Sequence, residues 1–87
     1  MKKLIQVQEI EGEGLESLMG ETVTIFCQVY IYTGKLVGVN DKFILLEKAK
    51  VVYETGSFDS KDWKDAQSLP GNWYIKTQAI ESFGLLK

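Results

Sequence analysis

The clearest pattern in the chain is an alternation between residues 23 and 32. Small apolar side chains occupy every second position, and polar or aromatic side chains occupy the positions between them. A period of two is typical of β-strands. The run is longer than the usual strand of about five or six residues, so it indicates a bend or a hairpin. No Gly or Pro falls inside it to mark the turn.

The next segment predicts a curved sheet. Gly34 and Gly38 flank a short apolar stretch, and glycine within a strand often marks a bulge or a close backbone approach. Asn40 and Asp41 form a turn signal. The continuous apolar run at 43–46 then predicts a strand covered on both faces, at the centre of the sheet, and residues 49–53 continue extended.

The flanking segments predict one helix at the start and more extended chain at the end. Residues 15–19 carry apolar side chains at helical spacing. The polar stretch 54–72 predicts a short helix, capped by Asp59 or Ser60, that runs through Trp63 and Ala66 to Leu69 and ends at Pro70. Residues 73–80 alternate again, and 82–86 form a last short extended piece.

These elements predict a mostly β fold, a small and strongly bent antiparallel barrel of about five strands behind a short helix. The 87 residues form a single domain, 1–87, in which 1–14 is an arm or an edge strand. The net free energy of folding of a domain of this size is small. Its single cysteine, Cys27, excludes an internal disulfide. We therefore expect association with other subunits.

Composition excludes several kinds of chemistry. There is no histidine, and every basic residue is a lysine, so the commonest general base and the guanidinium fork that binds guanine or phosphate are both missing. The net charge of −2 disfavours duplex DNA as a partner. Asp59, Asp62 and Asp65 alternate with lysines, which is typical of a solvated face. We expect no catalysis, metal or cofactor, a buried Cys27 thiol, and a cytoplasmic protein without a membrane segment.

The order of a short helix, a glycine, an alternating strand and the segment 34–46 resembles the Sm/LSm superfamily, to which Hfq belongs. The resemblance covers residues 15–53 and 72–86. Val39 and Asn40 stand where the family's first motif has an aromatic residue and an aspartate. Residues 73–80 resemble the second motif, whose turn carries Arg-Gly or Lys-His in the family and Thr77-Gln78 here. Residues 54–72 correspond to an enlarged variable loop.

The resemblance implies an Sm-like barrel that assembles into a homo-oligomeric ring of about five to seven subunits, with single-stranded RNA bound near the pore. Two turns would face the pore, and they carry the residues that the resemblance assigns to RNA: Asn40, Asp41, Lys42, Phe43, Lys76, Thr77 and Gln78. Asn40 and Gln78 would bond base edges, the lysines would meet phosphate, and Phe43 or a tyrosine would stack a base.

Each of these assignments has a structural alternative. Asn40 and Asp41 are common turn formers, and Phe43 begins an apolar strand in which burial in the core competes with base stacking. Two other functions also stay open. The first is an Sm-fold ring that serves as a protein-interaction scaffold without significant RNA binding, and the second is a monomeric small-barrel binding module.

Overall fold

The alternating run of residues 23–32 belongs to a hairpin. The computed structural model describes residues 14–87, and in it β1 (Thr22–Cys27) pairs antiparallel with β2 (Ile31–Val39). The turn between the strands is closed by a hydrogen bond of 3.0 Å from the Cys27 N–H to the Tyr30 carbonyl. Val29 at its tip is 80% exposed, so the alternation does not continue through the turn.

The glycines of β2 lie where its pairing with β3 (Phe43–Glu54) is irregular. The register between β2 and β3 shifts between Thr33 and Lys35 and again between Leu36 and Gly38. A Cβ atom on Gly34 would lie 3.1 Å from the Ala49 Cα and 3.1 Å from the Glu47 carbonyl oxygen. The predicted bulges and close backbone approach are therefore confirmed, and such bulges bend a sheet.

The predicted helix within 54–72 is wrong. Residues Asp65–Ser68 form a strand, β4, whose partners are residues 50–54 of β3. The pairing continues one residue further, since the Leu69 N–H donates to the Ala49 carbonyl at 2.8 Å. Ser60 caps only a local turn, where its Oγ accepts from the Asp62 N–H at 3.3 Å. The free backbone edge of β3 offers these residues ladder hydrogen bonds, and that overrides a short and weak helical pattern.

The described chain contains six strands, where about five were predicted. Two short strands, β4 and β5 (Trp73–Lys76), both pair with β3, and the interruption between them contains Pro70 and Gly71, whose φ is 65°. A 3₁₀ turn, Thr77–Ala79, then leads into β6 (Ile80–Gly84), which pairs with β1. The sheet order is β4-β3-β2-β1-β6, so the sheet is open, with β4 and β6 at its ends.

The core lies on one face of this sheet. It consists of the buried side chains of Val23, Ile25, Leu36, Ile44, Leu46, Ala49 and Ile75. Within the predicted apolar run, Ile44 and Leu46 are buried, whereas Phe43 is exposed and Leu45 half-buried, so the run is not covered on both faces as expected. The run lies in an interior strand, because β3 pairs with β2 and also with β4 and β5, but the middle strand of the order is β2.

The predicted leading helix is a single 3₁₀ turn, Leu15–Leu18. Backbone bonds attach the chain after it to β2: the Gly20 N–H donates to the Leu36 carbonyl at 2.7 Å, and the Leu36 N–H donates to the Glu21 carbonyl at 2.9 Å. The predicted arm or edge strand at 1–14 falls, except for Gly14, outside the described residues. Among the helical turns of residues 14–87, none is long and apolar enough to cross a membrane.

Candidate functional site

Two turns that are distant in sequence meet at one end of the sheet. Because β5 pairs with the start of β3, with Lys76 opposite Phe43, the turn before β3 lies beside the 3₁₀ turn after β5. The Thr77 N–H donates to the Lys42 carbonyl at 2.9 Å, and the Thr77 hydroxyl donates to the Asp41 carbonyl at 2.7 Å. Thr77 therefore fixes the spacing between the two turns.

Asn40 has a structural role in the first turn. Its side-chain Oδ1 accepts hydrogen bonds from the Lys42 and Phe43 N–H groups, both at 2.8 Å, and its own N–H donates to the Phe43 carbonyl at 2.9 Å. The amide oxygen is thus engaged with backbone, as in an Asx turn. Only the amide nitrogen of this side chain is left to meet a ligand.

A cavity of about 270 Å³ lies between the two turns. Six of the seven residues assigned to RNA line it, and Asn40 does not: the lining residues are Asp41, Lys42, Phe43, Lys76, Thr77 and Gln78. The volume lies just below the range of about 300–1,000 Å³ that is usual for drug-sized ligands. The cavity therefore suits a group of the size of one nucleobase or one short side chain.

Phe43, which lines this cavity, forms an aromatic pair with Tyr74, which does not line it. The rings of Phe43 and Tyr74 have centroids 6.1 Å apart and planes at 75°, in an edge-to-face arrangement. Phe43 is 39% exposed and Tyr74 is 65% exposed. Phe43 is thus not a core residue, and both rings are accessible for stacking. Tyr74 was not named from the sequence, although its place next to the buried Ile75 in the alternating run 73–76 marks it as outward-facing.

The cavity carries two lysine ammonium groups and one carboxylate. Lys42, Lys76 and Asp41 are all exposed. The ion pair found within residues 14–87, Lys64 with Glu54 at 3.5 Å, lies at the opposite end of β3. The two lysines of the cavity are therefore free of an ion-pair partner among the described residues, and they give the cavity a local positive charge despite the acidic chain.

Cys27 lies outside this site. It is half-buried and packs against the core, and burial raises the pKa of its thiol above the ordinary value. The pKa of Tyr32 is also raised, first by burial and then by the neighbouring charges of Cys27 and Tyr30. Asp59, Asp62 and Asp65 are exposed. In the part of the chain that the structure describes, no group of three or more acidic or cysteine side chains is placed to hold a metal ion.

Comparison with known proteins yields a likeness of fold. No family model matches the sequence, and no curated protein matches it. Among solved structures, this chain is similar to a chain in the crystal structure of the NatC complex bound to CoA, with a TM-score of 0.60 and 14% sequence identity. The alignment covers 87% of this chain and 88% of the other, so the two are of similar length. At this identity the likeness shows a shared fold and nothing more.

Proposed function

We propose that this chain is a non-catalytic, Sm-like protein of the cytoplasm that assembles into a homomeric ring of about five to seven subunits and binds single-stranded RNA in the cavity between its two turns. The observation that carries the proposal is that cavity. Its residues come from the two segments that resemble the Sm motifs, and Thr77 bonds to Asp41 across a separation of 36 residues.

The strand arrangement supports an Sm-like fold. β4 and β5 lie one after the other along the same side of β3, and the Leu69 backbone bond continues the pairing between them. Counted as one interrupted strand, they leave the five strands of the Sm family. The 3₁₀ turn after β5 then stands where the family has its second RNA-binding turn.

The open sheet supports a ring. β4 and β6 each have one neighbour among the described strands, which leaves a row of backbone donors and acceptors on each outer side. Such edges are templates for pairing with another chain. Head-to-tail pairing of the β4 side with the β6 side of the next copy closes into a ring and leaves no edge free.

The cavity has the parts needed for an unpaired nucleotide. Phe43 offers an accessible ring for stacking, and Tyr74, outside the cavity lining, packs edge-to-face with it. Lys42 and Lys76 offer charge to phosphate, and the Gln78 amide offers a donor and an acceptor to a base edge. No arginine is needed for these contacts, because a lysine neutralises phosphate as a point charge.

The first test is the mass of the purified protein in solution, measured by light scattering. Five to seven times the 9.9 kDa of one chain supports the ring. A single 9.9 kDa species contradicts it and favours a monomeric small-barrel binding module.

The second test is binding of fluorescent uridine-rich and adenine-rich single strands, followed by anisotropy at several salt concentrations. Log affinity falls as log salt rises. If Lys42 and Lys76 each contact one phosphate, each Ala substitution makes this negative slope shallower by about 0.7. Lys61→Ala is the matched control, because Lys61 is an exposed lysine in the 54–72 segment, away from the cavity. An equal effect of all three substitutions contradicts the assignment of the site.

A second candidate is a protein-interaction scaffold. It is favoured by Asp41, whose carboxylate weakens anion binding in the cavity, and by the occupied Asn40 oxygen, which leaves one acceptor fewer for a base edge. A ring-sized mass combined with no binding of either RNA at low salt supports this candidate and contradicts the RNA site.

A further inference from the structure

The ammonium group of Lys87 is held by a set of backbone oxygens. Its Nζ donates to the carbonyl oxygens of Thr55, Ser57 and Asp62 at 2.7, 2.9 and 2.8 Å. It also lies 4.7 Å from the centroid of the Trp63 ring. A lysine ammonium has three N–H donors, so the three carbonyls satisfy all of them, and the aromatic face adds a cation–π contact.

The three carbonyl groups and the Trp63 ring belong to the loop between β3 and β4, residues 55–64. Its other bonds are local or weak: the Ser60 N–H donates to the Ser57 carbonyl at 3.0 Å, and the Ser60 hydroxyl donates to the Asp62 carbonyl at 3.3 Å. The Lys64 and Glu54 side chains that pair at its base are 68% and 62% exposed, and an exposed ion pair contributes little. Among the contacts of the described residues, those of the Lys87 ammonium are therefore the strongest that hold this loop. Lys87 itself lies in the segment after β6.

The loop and residues 85–87 after β6, called the tail below, also cover a second face of the sheet. Thr24 pairs with Gly84 and points away from the core residues Val23 and Ile25, yet it is only 1% exposed. A groove of about 260 Å³ lies over this face, lined by Thr24 and Phe26 of β1, Phe58 of the loop, residues of β6, and Leu85 and Leu86. The tail and the loop therefore lie together over β1, and the Lys87 ammonium joins them.

We propose that Lys87 is a charge-dependent latch: its ammonium organises the carbonyl groups of residues 55–62 and thereby holds the loop and the tail closed over β1. Backbone carbonyls repel one another when they converge on one point, and a cation at that point removes the repulsion. Neutralisation or loss of the ammonium opens the loop while the core stays folded. This latch is independent of the RNA site at the other end of β3.

The test is chemical rescue of Lys87→Ala in the full chain, followed by hydrogen exchange with mass spectrometry. The substitution removes three carbons and the ammonium, which is the structure of n-propylammonium. We expect the 55–63 peptide to exchange at least about tenfold faster than in the unchanged protein, because charged hydrogen bonds are lost. The peptide covering 43–52 should exchange as before, which shows that the sheet is intact.

Added n-propylammonium chloride should restore protection of the 55–63 peptide in Lys87→Ala and leave the unchanged protein as it was. Two control solutes separate the contributions. Propanol has a similar shape without charge, and tetramethylammonium has charge without N–H donors, so neither should restore protection. The latch is overturned if Lys87→Ala leaves exchange of the loop unchanged, or if either control solute restores protection as well as n-propylammonium does.

Trp63→Leu gives a second measure that does not alter the carbonyl groups. It removes the aromatic face, so the loop should exchange faster than in the unchanged protein but slower than in Lys87→Ala. If the loop exchanges as fast in Trp63→Leu as in Lys87→Ala, packing of the Trp63 ring holds the loop closed, and the carbonyl latch is contradicted.

Discussion

Replacement of Gly34 by alanine tests the close approach of β2 and β3 at the bulge. The new Cβ atom would lie 3.1 Å from the Ala49 Cα, 3.1 Å from the Glu47 carbonyl oxygen and 3.2 Å from the Leu46 Cβ. Ordinary van der Waals contact begins near 3.4 Å. All three atoms belong to the backbone or are Cβ atoms, so none can rotate away, and the two strands must move apart by a few tenths of an ångström.

The expected cost follows from two opposing effects. Overpacking in a well-packed region costs about 1–3 kcal/mol, whereas alanine restricts the unfolded chain and recovers about 0.4–1 kcal/mol. The difference between the two ranges is centred on a fall of about 1–2 kcal/mol in the free energy of unfolding. For a domain of this size that corresponds to a decrease in Tm of about 4–16 °C.

The assay is thermal and urea unfolding followed by circular dichroism, at one fixed protein concentration because assembly would add to stability. Gly84→Ala is the matched control. Gly84 lies in β6, its φ is not positive, and a Cβ atom there would meet nothing within 4 Å, so its effect should stay within about 0.5 kcal/mol. Equal stability of Gly34→Ala and the unchanged protein, or an equal loss in both variants, would refute the packing at the bulge.

Three further substitutions or reactions test separate features of the structure. Thr24→Val should raise the free energy of unfolding by about 1 kcal/mol, because the buried Thr24 hydroxyl has no hydrogen-bond partner among the described residues; a loss of stability in urea unfolding would contradict this. Asn40→Ala should lower the free energy of unfolding by about 1–2 kcal/mol, because the hydrogen bonds from the Lys42 and Phe43 N–H groups are lost. Asn40→Asp keeps the acceptor oxygen and should lower the free energy of unfolding by less. Because burial raises its pKa, the Cys27 thiol should react with iodoacetamide at pH 8 more slowly than free cysteine and should react faster in urea; equal rates would contradict its burial.

The elements predicted correctly are those whose signals are local. Apolar patterning located β1 to β3: alternation at 23–32 indicated β1 and the start of β2, and the continuous apolar run at 43–46 indicated the start of β3. The β2 bulges were predicted from Gly34 and Gly38, and at Gly34 the structure shows the reason for glycine, since β3 leaves little room there for a side chain. Both signals depend on the local environment of each residue, and the residue type at a position directly reflects that environment.

β4 could not be predicted because its cause is not local. Its residues Asp65–Ser68 have one half-buried side chain and three exposed ones, so burial imposes no strong alternation on them. They are extended because residues 50–54 of β3 offer backbone partners, and those partners become available only when β3 has formed. A pattern of Trp63, Ala66 and Leu69 at helical spacing carries no information on that edge.

For the candidate site, the sequence located the two turns but not the bonds that join them. Asn40 and Asp41 mark the first turn by residue type. That Thr77 would bond to the Asp41 and Lys42 carbonyls depends on the β3 and β5 register. The same register places Tyr74 beside Phe43, and a side chain on the outward face of a short strand cannot be assigned to a neighbour until the pairing is known.

The acidic balance of the chain does not by itself oppose an RNA site. At ~0.15 M salt, charges on the surface are screened beyond about 8 Å, so the charges beside the cavity decide its affinity. Lys42, Lys76 and Asp41 lie there, whereas the carboxylates of Glu54 and Asp65, which stand opposite each other in the β3–β4 ladder, lie at the far end of β3. Distant carboxylates gain influence only as salt is lowered and screening weakens. Lowering the salt therefore strengthens the attraction of the two lysines and the repulsion of the rest of the surface together, and the net salt slope should be shallower than two phosphate contacts alone would give.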